Sequence, residues 1–431
     1  MQKKLLTMAV AGALAAPCIA LAQSSVEVYG TINMAFGYFK YSEGTAANTP
    51  SVSKWDVAQG ASNYGLRGRE SIGAGLTAWF QIEQNAPMER SNNVAITPAS
   101  RNSAVGLQGG FGNVFLGQWT TPWADLDALW SIGTVGFWGP VTSIIGRRET
   151  TGTSPNPNCQ NGHDSGAPGV SGVGGVCDAV EAGGGVGHPL WRRASQSLVY
   201  QSPVFSGFQL KGLYQTNDMK STGGVGATVA NPWLFSGSVQ WAGMGGRARV
   251  GLAYDKHHDF TSVGNSDSGW AAKGGWNFGV VDIGLAYEYF NYKTFTSDCK
   301  AKQYGAALAV PIGQGAIRAS YSKAKAIDGS FTGAQTTVST VNGSCGAAPT
   351  AANPTNDNGA KQYNIGYDHR FSKRTTVGVG YAVIKNDPGA QFTWTGAPPV
   401  QNGNSGSANA ANTPFVGSDP STYFVTITHR F

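Results

Sequence analysis

A transmembrane antiparallel β-barrel of sixteen strands is the fold that this sequence predicts, and three observations predict it. Apolar and polar residues alternate with a period of two in one segment after another. Glycine supplies 61 of 431 residues and charged residues only 13%, where about 25% is usual in soluble domains. Connections between the alternating segments are short at one end and long at the other, so tight turns gather at one rim and polar loops at the opposite rim. No apolar run reaches the length of a membrane-crossing helix, which leaves strands as the spanning element.

The chain opens Met1-Gln2-Lys3-Lys4, continues with an apolar stretch from Leu5 to Ala16, and reaches the small-residue site Ala20-Leu21-Ala22. A positive start, an apolar middle and small residues at the cut are the pattern of a secretory signal peptide over residues 1–22. The exported chain, residues 23–431, would carry a formal charge of +4 in place of +6. That excess is too mild to imply a nucleic-acid partner.

The first exported segment sets Val26, Val28, Ile32, Met34 and Phe36 against Glu27, Tyr29, Thr31 and Asn33, one dry face and one wet. Leu76, Ala78, Phe80 and Ile82 oppose Thr77, Gln81 and Glu83; Phe208, Leu210 and Tyr214 oppose Gln209, Lys211 and Gln215. The same alternation gives Val250, Leu252 and Tyr254 against Arg249 and Asp255, and Ile317, Ala319 and Tyr321 against Arg318, Ser320 and Ser322. Sixteen such segments start near residues 26, 62, 76, 102, 114, 193, 208, 232, 247, 269, 281, 302, 316, 360, 375 and 421. A soluble sandwich alternates too. Here Tyr38, Tyr41, Trp233, Trp241, Trp276, Tyr287 and Tyr289 cluster near the ends of the apolar faces, as interfacial girdles around a lipid-facing band require.

The longest connection, residues 119–192, begins Thr121-Pro122-Trp123-Ala124-Asp125-Leu126-Asp127. A capping threonine, proline at the first helical position and an acid in the first turn predict a helix there. Asp125 and Asp127 lie about 200° apart around such a helix, so one faces the lumen and the other bonds to the wall or to nearby backbone. Four cysteines remain after the signal: Cys159, Cys177, Cys299 and Cys345. In an exported chain an even number points to disulfides rather than a metal site, and three pairings are open, with Cys159 to Cys177 inside one loop preferred.

The last residues, Tyr423-Phe424-Val425-Thr426-Ile427-Thr428-His429-Arg430-Phe431, form an alternating strand with a terminal aromatic. Together with Ser25-Val26-Glu27-Val28-Tyr29-Gly30, the hairpin from Tyr64 to Glu83, Val105-Gly106-Leu107-Gln108-Gly109-Gly110-Phe111-Gly112, Tyr200-Gln201-Ser202-Pro203 and Phe371-Ser372-Lys373-Arg374-Thr375, it resembles the Gram-negative general porins of the betaproteobacterial type. The resemblance runs from Ser25 to Phe431 outside the loops. It implies an outer-membrane homotrimer, packed among outer-membrane lipid and lipopolysaccharide, whose third long loop folds into the lumen with acids facing a wall of arginines. After Leu116-Gly117 the family usually places arginine, where this chain has Gln118.

On the wet parity, Arg67, Arg69, Arg193, Lys211 and Arg318 would line the pore, and Arg147, Arg148 and Glu149 of the long loop would stand near the constriction with Asp125 and Asp127. Arg101 has the parity of Val105 and Leu107 and reads as a loop end. More basic than acidic side chains inside predict a weak preference for anions among small hydrophilic solutes and inorganic ions crossing passively. The alternative is a channel specific for phosphate or organic acid anions. A barrel enzyme is disfavoured: H-E-x-x-H, G-x-S-x-G and G-x-x-x-x-G-K-[ST] are missing, and His257 and His258 read as tips of an exposed loop, so neither a cofactor nor a metal is expected.

Overall fold

A computed structural model describes residues 25–45, 49–89, 98–136, 138–145, 190, 192–216, 231, 233–258, 266–293, 298–326, 328–329, 359–388, 390, 392–394 and 417–431. The signal peptide expected over residues 1–22 lies outside them. In chain order the strands are β1 (Ser25–Tyr41), β2 (Val52–Gln59), β3 (Asn63–Gly73), β4 (Leu76–Asn85), β5 (Ser103–Gly109), β6 (Gly112–Thr120), β7 (Arg193–Gln201), β8 (Phe208–Gln215) and β9 (Trp233–Gly243). There follow β10 (Ala248–His258), β11 (Ser266–Asn277), β12 (Asp282–Lys293), β13 (Asp298–Ile312), β14 (Gly315–Ala324), β15 (Asp328–Gly329), β16 (Ala360–Arg370), β17 (Thr375–Asn386) and β18 (Pro420–Arg430). Each barrel strand pairs antiparallel with its neighbour, and β18 closes on β1 through Phe36↔Val425 and Tyr38↔Tyr423. At the seam Gly30 and Phe431 exchange backbone hydrogen bonds of 3.2 and 3.1 Å.

Eighteen segments make sixteen staves. β15 is a two-residue bridge beside β13, and β2 and β3 are one stave in two pieces. β2 pairs with the far half of β1 (Gln59↔Met34) and β3 with the near half (Asn63↔Thr31), so the register slips by one residue between them. This bulge reverses the parity: Trp55 and Val57 face lipid on β2, whereas Tyr64 and Leu66 do so on β3. Ser62 holds the break, its hydroxyl donating to the Asn33 carbonyl and accepting from the Asn33 amide. The stave therefore begins at Val52, ten residues before the alternation predicts.

Elsewhere the dry face stands outside as expected. Val26, Val28, Leu210, Leu252, Leu285, Ile365 and Val425 are all exposed, which in a soluble protein would be a liability and here is the lipid-facing band. The short turns carry the backbone that tight hairpins demand, for instance Gly73, Ala74 and Gly75 with φ of 91°, 51° and 73°. His257 and His258 belong to the end of β10 rather than to a loop tip, and His257 is fully buried on the inner face.

Candidate functional site

The helix signal at Thr121 is realised as one α-helical turn, α1 (Pro122–Asp125), capped by the Thr121 side chain, which accepts from the Ala124 amide at 3.4 Å. A 3-10 turn over Leu126–Leu129 follows. From there the backbone runs as a strap along the inside of the wall, and the wall is shaped to take it. A Cβ on Gly251 would strike Leu126, one on Gly284 would lie 2.1 Å from the Trp130 carbonyl oxygen, and those on Gly366 and Gly378 would press into Val135. Inward glycines on β10, β12, β16 and β17 thus leave a track into which backbone sinks. At the far end Trp138 packs against Phe39 and Phe424, with ring centroids 5.5 and 4.6 Å away, inside a dry cluster with Ile144, Ile145, Phe392 and Trp394.

Wall cations clamp the strap along its length. The Lys211 ammonium meets Asp125 at 2.8 Å; Lys273, wholly buried, meets Asp127 at 2.6 Å and Glu288 at 2.7 Å. The Arg249 guanidinium donates to the Leu129 carbonyl at 2.6 Å and pairs with Asp282 at 2.6 Å. Arg318 pairs with Asp368 at 2.7 Å and donates to the Ile132 carbonyl. The Ser143 hydroxyl meets Gln362 beyond them. Burial pushes the Asp125 carboxyl above its ordinary range, with the Lys211 ammonium drawing it back and Asp127 adding to the rise.

Both aspartates therefore face the wall, although a regular helix would send one of them into the lumen. The α-helix lasts four residues, and the tighter 3-10 winding after it swings Asp127 round to Lys273. Arg67 and Arg69 stand at the short-turn mouth, away from the strap; Arg67 grips Glu27 through Nε at 2.9 Å and lies over the Tyr29 ring. Arg193 departs from simple alternation. Gln196 has φ 47° and the register shifts between Gly117 and Trp119, so Ala194 takes the inner-face position beside Phe115 while Arg193 donates to the Asn102 side chain at 3.2 Å. Arg147, Arg148, Glu149, Cys159, Cys177 and Cys345 lie outside the described residues, and Cys299 sits in β13 opposite Gly329.

Three inner-wall cations stand outside the pore-lining set expected above: Arg101, Arg249 and Lys273. Arg101 turns inward and meets Glu83 at 2.5 Å, next to the Tyr29 hydroxyl, which donates to the same carboxylate. Arg249 and Lys273 share the wet parity of their strands, and that parity is the signal that finds them. By contrast Arg69, Arg370, Lys373 and Arg430 at the short-turn mouth have no carboxylate within ion-pair distance among the described residues.

Residues 7–389 match the family model described as Gram-negative porin. The chain belongs to the Gram-negative porin family. It is 26% identical over 393 residues to outer membrane porin protein 32 of Delftia acidovorans, with 90% of each chain covered. Among solved structures it superposes on the anion-selective porin from Comamonas acidovorans with a TM-score of 0.59 at 22% identity, covering 95% of this chain and 100% of that one. The trimer form of OmpT from Vibrio cholerae gives 0.55 at 11% identity over 95% and 99% of the two chains. As a porin the chain is an outer-membrane channel and not an enzyme.

Proposed function

We propose that this porin lets small hydrophilic solutes diffuse down their gradients and favours anions over cations. One observation carries the charge preference. Lys211, Arg249, Lys273 and Arg318 are committed to carboxylates and to the strap, so they are largely neutralised. Among the described residues, the uncommitted side-chain charges that face the lumen at the short-turn mouth are Arg69, Arg370, Lys373 and Arg430, while the exposed Glu70 beside Arg69 has the outward parity of Leu66. Arg370, Lys373 and Arg430 open onto a cavity of about 520 Å³ beneath the strap, together with Asn33, Thr426 and Thr428. Cations of this kind concentrate anions at a low-dielectric mouth and repel inorganic cations. The description of the Comamonas relative as anion-selective supports the same reading.

Residues 1–22 as a signal peptide and 23–431 as the exported barrel belong to this proposal; the first stave starting at Ser25 supports it. So does a homotrimer in lipid and lipopolysaccharide, supported by the trimer form of OmpT. Gly212 lies opposite Gly237 on the outer wall with nothing near its Cβ position, a saddle where a second barrel can approach. Gly30 is not such a place, because the Phe431 ring covers it. In planar bilayers with asymmetric KCl, the reversal potential is expected to show anion preference and to move towards zero in R370Q/K373Q/R430Q. Cation preference in the unmodified protein would overturn the proposal.

A further inference from the structure

On the outer wall, Lys323 of β14, Lys361 of β16 and Lys385 of β17 stand directly opposite one another across three adjacent strands. Their parity points them outward, since Ser322 and Ala324 beside Lys323 are buried inside, and Tyr363 and Ile365 below Lys361 are exposed outside. Neighbouring strands are about 4.8 Å apart, and like charges placed directly opposite destabilise a sheet. Three ammonium groups in one such row call for a shared counter-anion. Lys385 has Asp419 at 2.9 Å; Lys323 and Lys361 have no carboxylate within ion-pair distance among the described residues. Lys300 and Lys302 of β13 and Lys325 extend the patch, the Lys325 amide donating to the Lys302 carbonyl at 2.9 Å.

One step nearer the barrel's middle lies an aromatic row. Tyr321 and Tyr363 are opposite and 5.2 Å apart between ring centroids, and one further step in, level with Ile365, Tyr381 meets Tyr423 at 4.5 Å. Tyrosines of this kind mark the level where acyl chains give way to headgroups, so the lysines stand at headgroup height. This is the long-loop rim, which in an outer-membrane barrel is the outer leaflet.

We propose that the Lys323, Lys361 and Lys385 row is a binding site for a phosphorylated lipid headgroup of the outer leaflet, with phosphate oxygens bridging adjacent ammonium groups while the tyrosines pack on the upper acyl chain. The assignment rests on the outer-membrane reading of the barrel. Charge complementarity selects the occupant: the row is cationic, it lies outside the lumen, and a lipid phosphate is the anion available at that depth.

The full-length protein in detergent is titrated with diphosphoryl lipid A, with the same lipid after enzymatic removal of both phosphates, and with inorganic pyrophosphate, binding being read by native mass spectrometry. Retention is expected to fall on the order of 10- to 100-fold on dephosphorylation and equally in K323Q/K361Q/K385Q, and to return in K323R/K361R/K385R. Conductance is expected to stay unchanged in both variants, which also reports that they fold. Equal retention of the dephosphorylated lipid by the unmodified protein would overturn the proposal without reference to any variant. Undiminished retention by a conducting glutamine variant would do the same, and pyrophosphate binding as tight as lipid A would reassign the row to free anions. A protein that bound lipid A yet failed to conduct would count against the channel reading alone.

Discussion

Asp127 and Glu288 share a single ammonium, that of Lys273; Lys273 and Glu288 are shut away from water and Asp127 is nearly so. Replacing Lys273 by methionine keeps most of the volume but leaves two carboxylates without their counter-charge, which costs about 3–5 kcal/mol. K273M is therefore expected to lower the denaturation temperature of the detergent-solubilised barrel, and K273M/D127N/E288Q to recover part of the loss. Asp125 makes a different prediction. Its raised pKa means that, on acidification, it takes up a proton before an ordinary aspartate would, and the Lys211 charge is then uncovered. Anion preference should rise as pH falls through that elevated range and should be flat there in D125N; a D125N channel with an unchanged pH profile would reject the assignment. Alternation alone makes Lys211 and Arg318 legible as inward residues, because nothing disturbs the strands that carry them. It fails at Arg193 and Arg101, where a bulge and a strand end break the two-residue period.

The strap and its track show what the sequence leaves unsaid at the scale of elements. Thr121, Pro122 and Asp125 announce a helix, but they do not say that it stops after four residues or which wall it lies on. The wall is written in inward glycines, which read only as weak strand residues until the strap is placed against them. G284V should push the strap off the wall at Trp130 and change single-channel conductance, while the far-ultraviolet spectrum of the barrel stays that of a β protein. W138A should cost about 3–5 kcal/mol by emptying the cluster around Phe39 and Phe424. Its measurable sign would be a noisier open-channel current together with a lower denaturation temperature. The segment β2 is illegible from alternation for a related reason: Lys54 and Asp56 turn inward as an ion pair at 2.8 Å, and the bulge after Gln59 puts its period out of phase with β3.

For the whole molecule, closure and sidedness follow from composition and period, since sixteen staves with apolar exteriors have nowhere to bury them but lipid. Charge preference does not follow so directly. A count of inward cations includes Lys211, Arg249, Lys273 and Arg318, which the fold spends on holding the strap. What is left sits at a solvated mouth, where screening shortens from about 10 Å at 0.1 M salt to about 3 Å at 1 M. The permeability ratio of chloride to potassium should accordingly fall towards unity between those concentrations; a ratio independent of salt would place the selective charges at a dry constriction instead. The strap also has a mechanical meaning. It is clamped to staves far apart around the circumference, so it acts as a brace lining the inside of a hoop, and lateral pressure from the bilayer that would flatten the hoop must first shear the clamps. Weakening those clamps should therefore show itself earliest as current flicker under membrane tension, well before the barrel itself gives way.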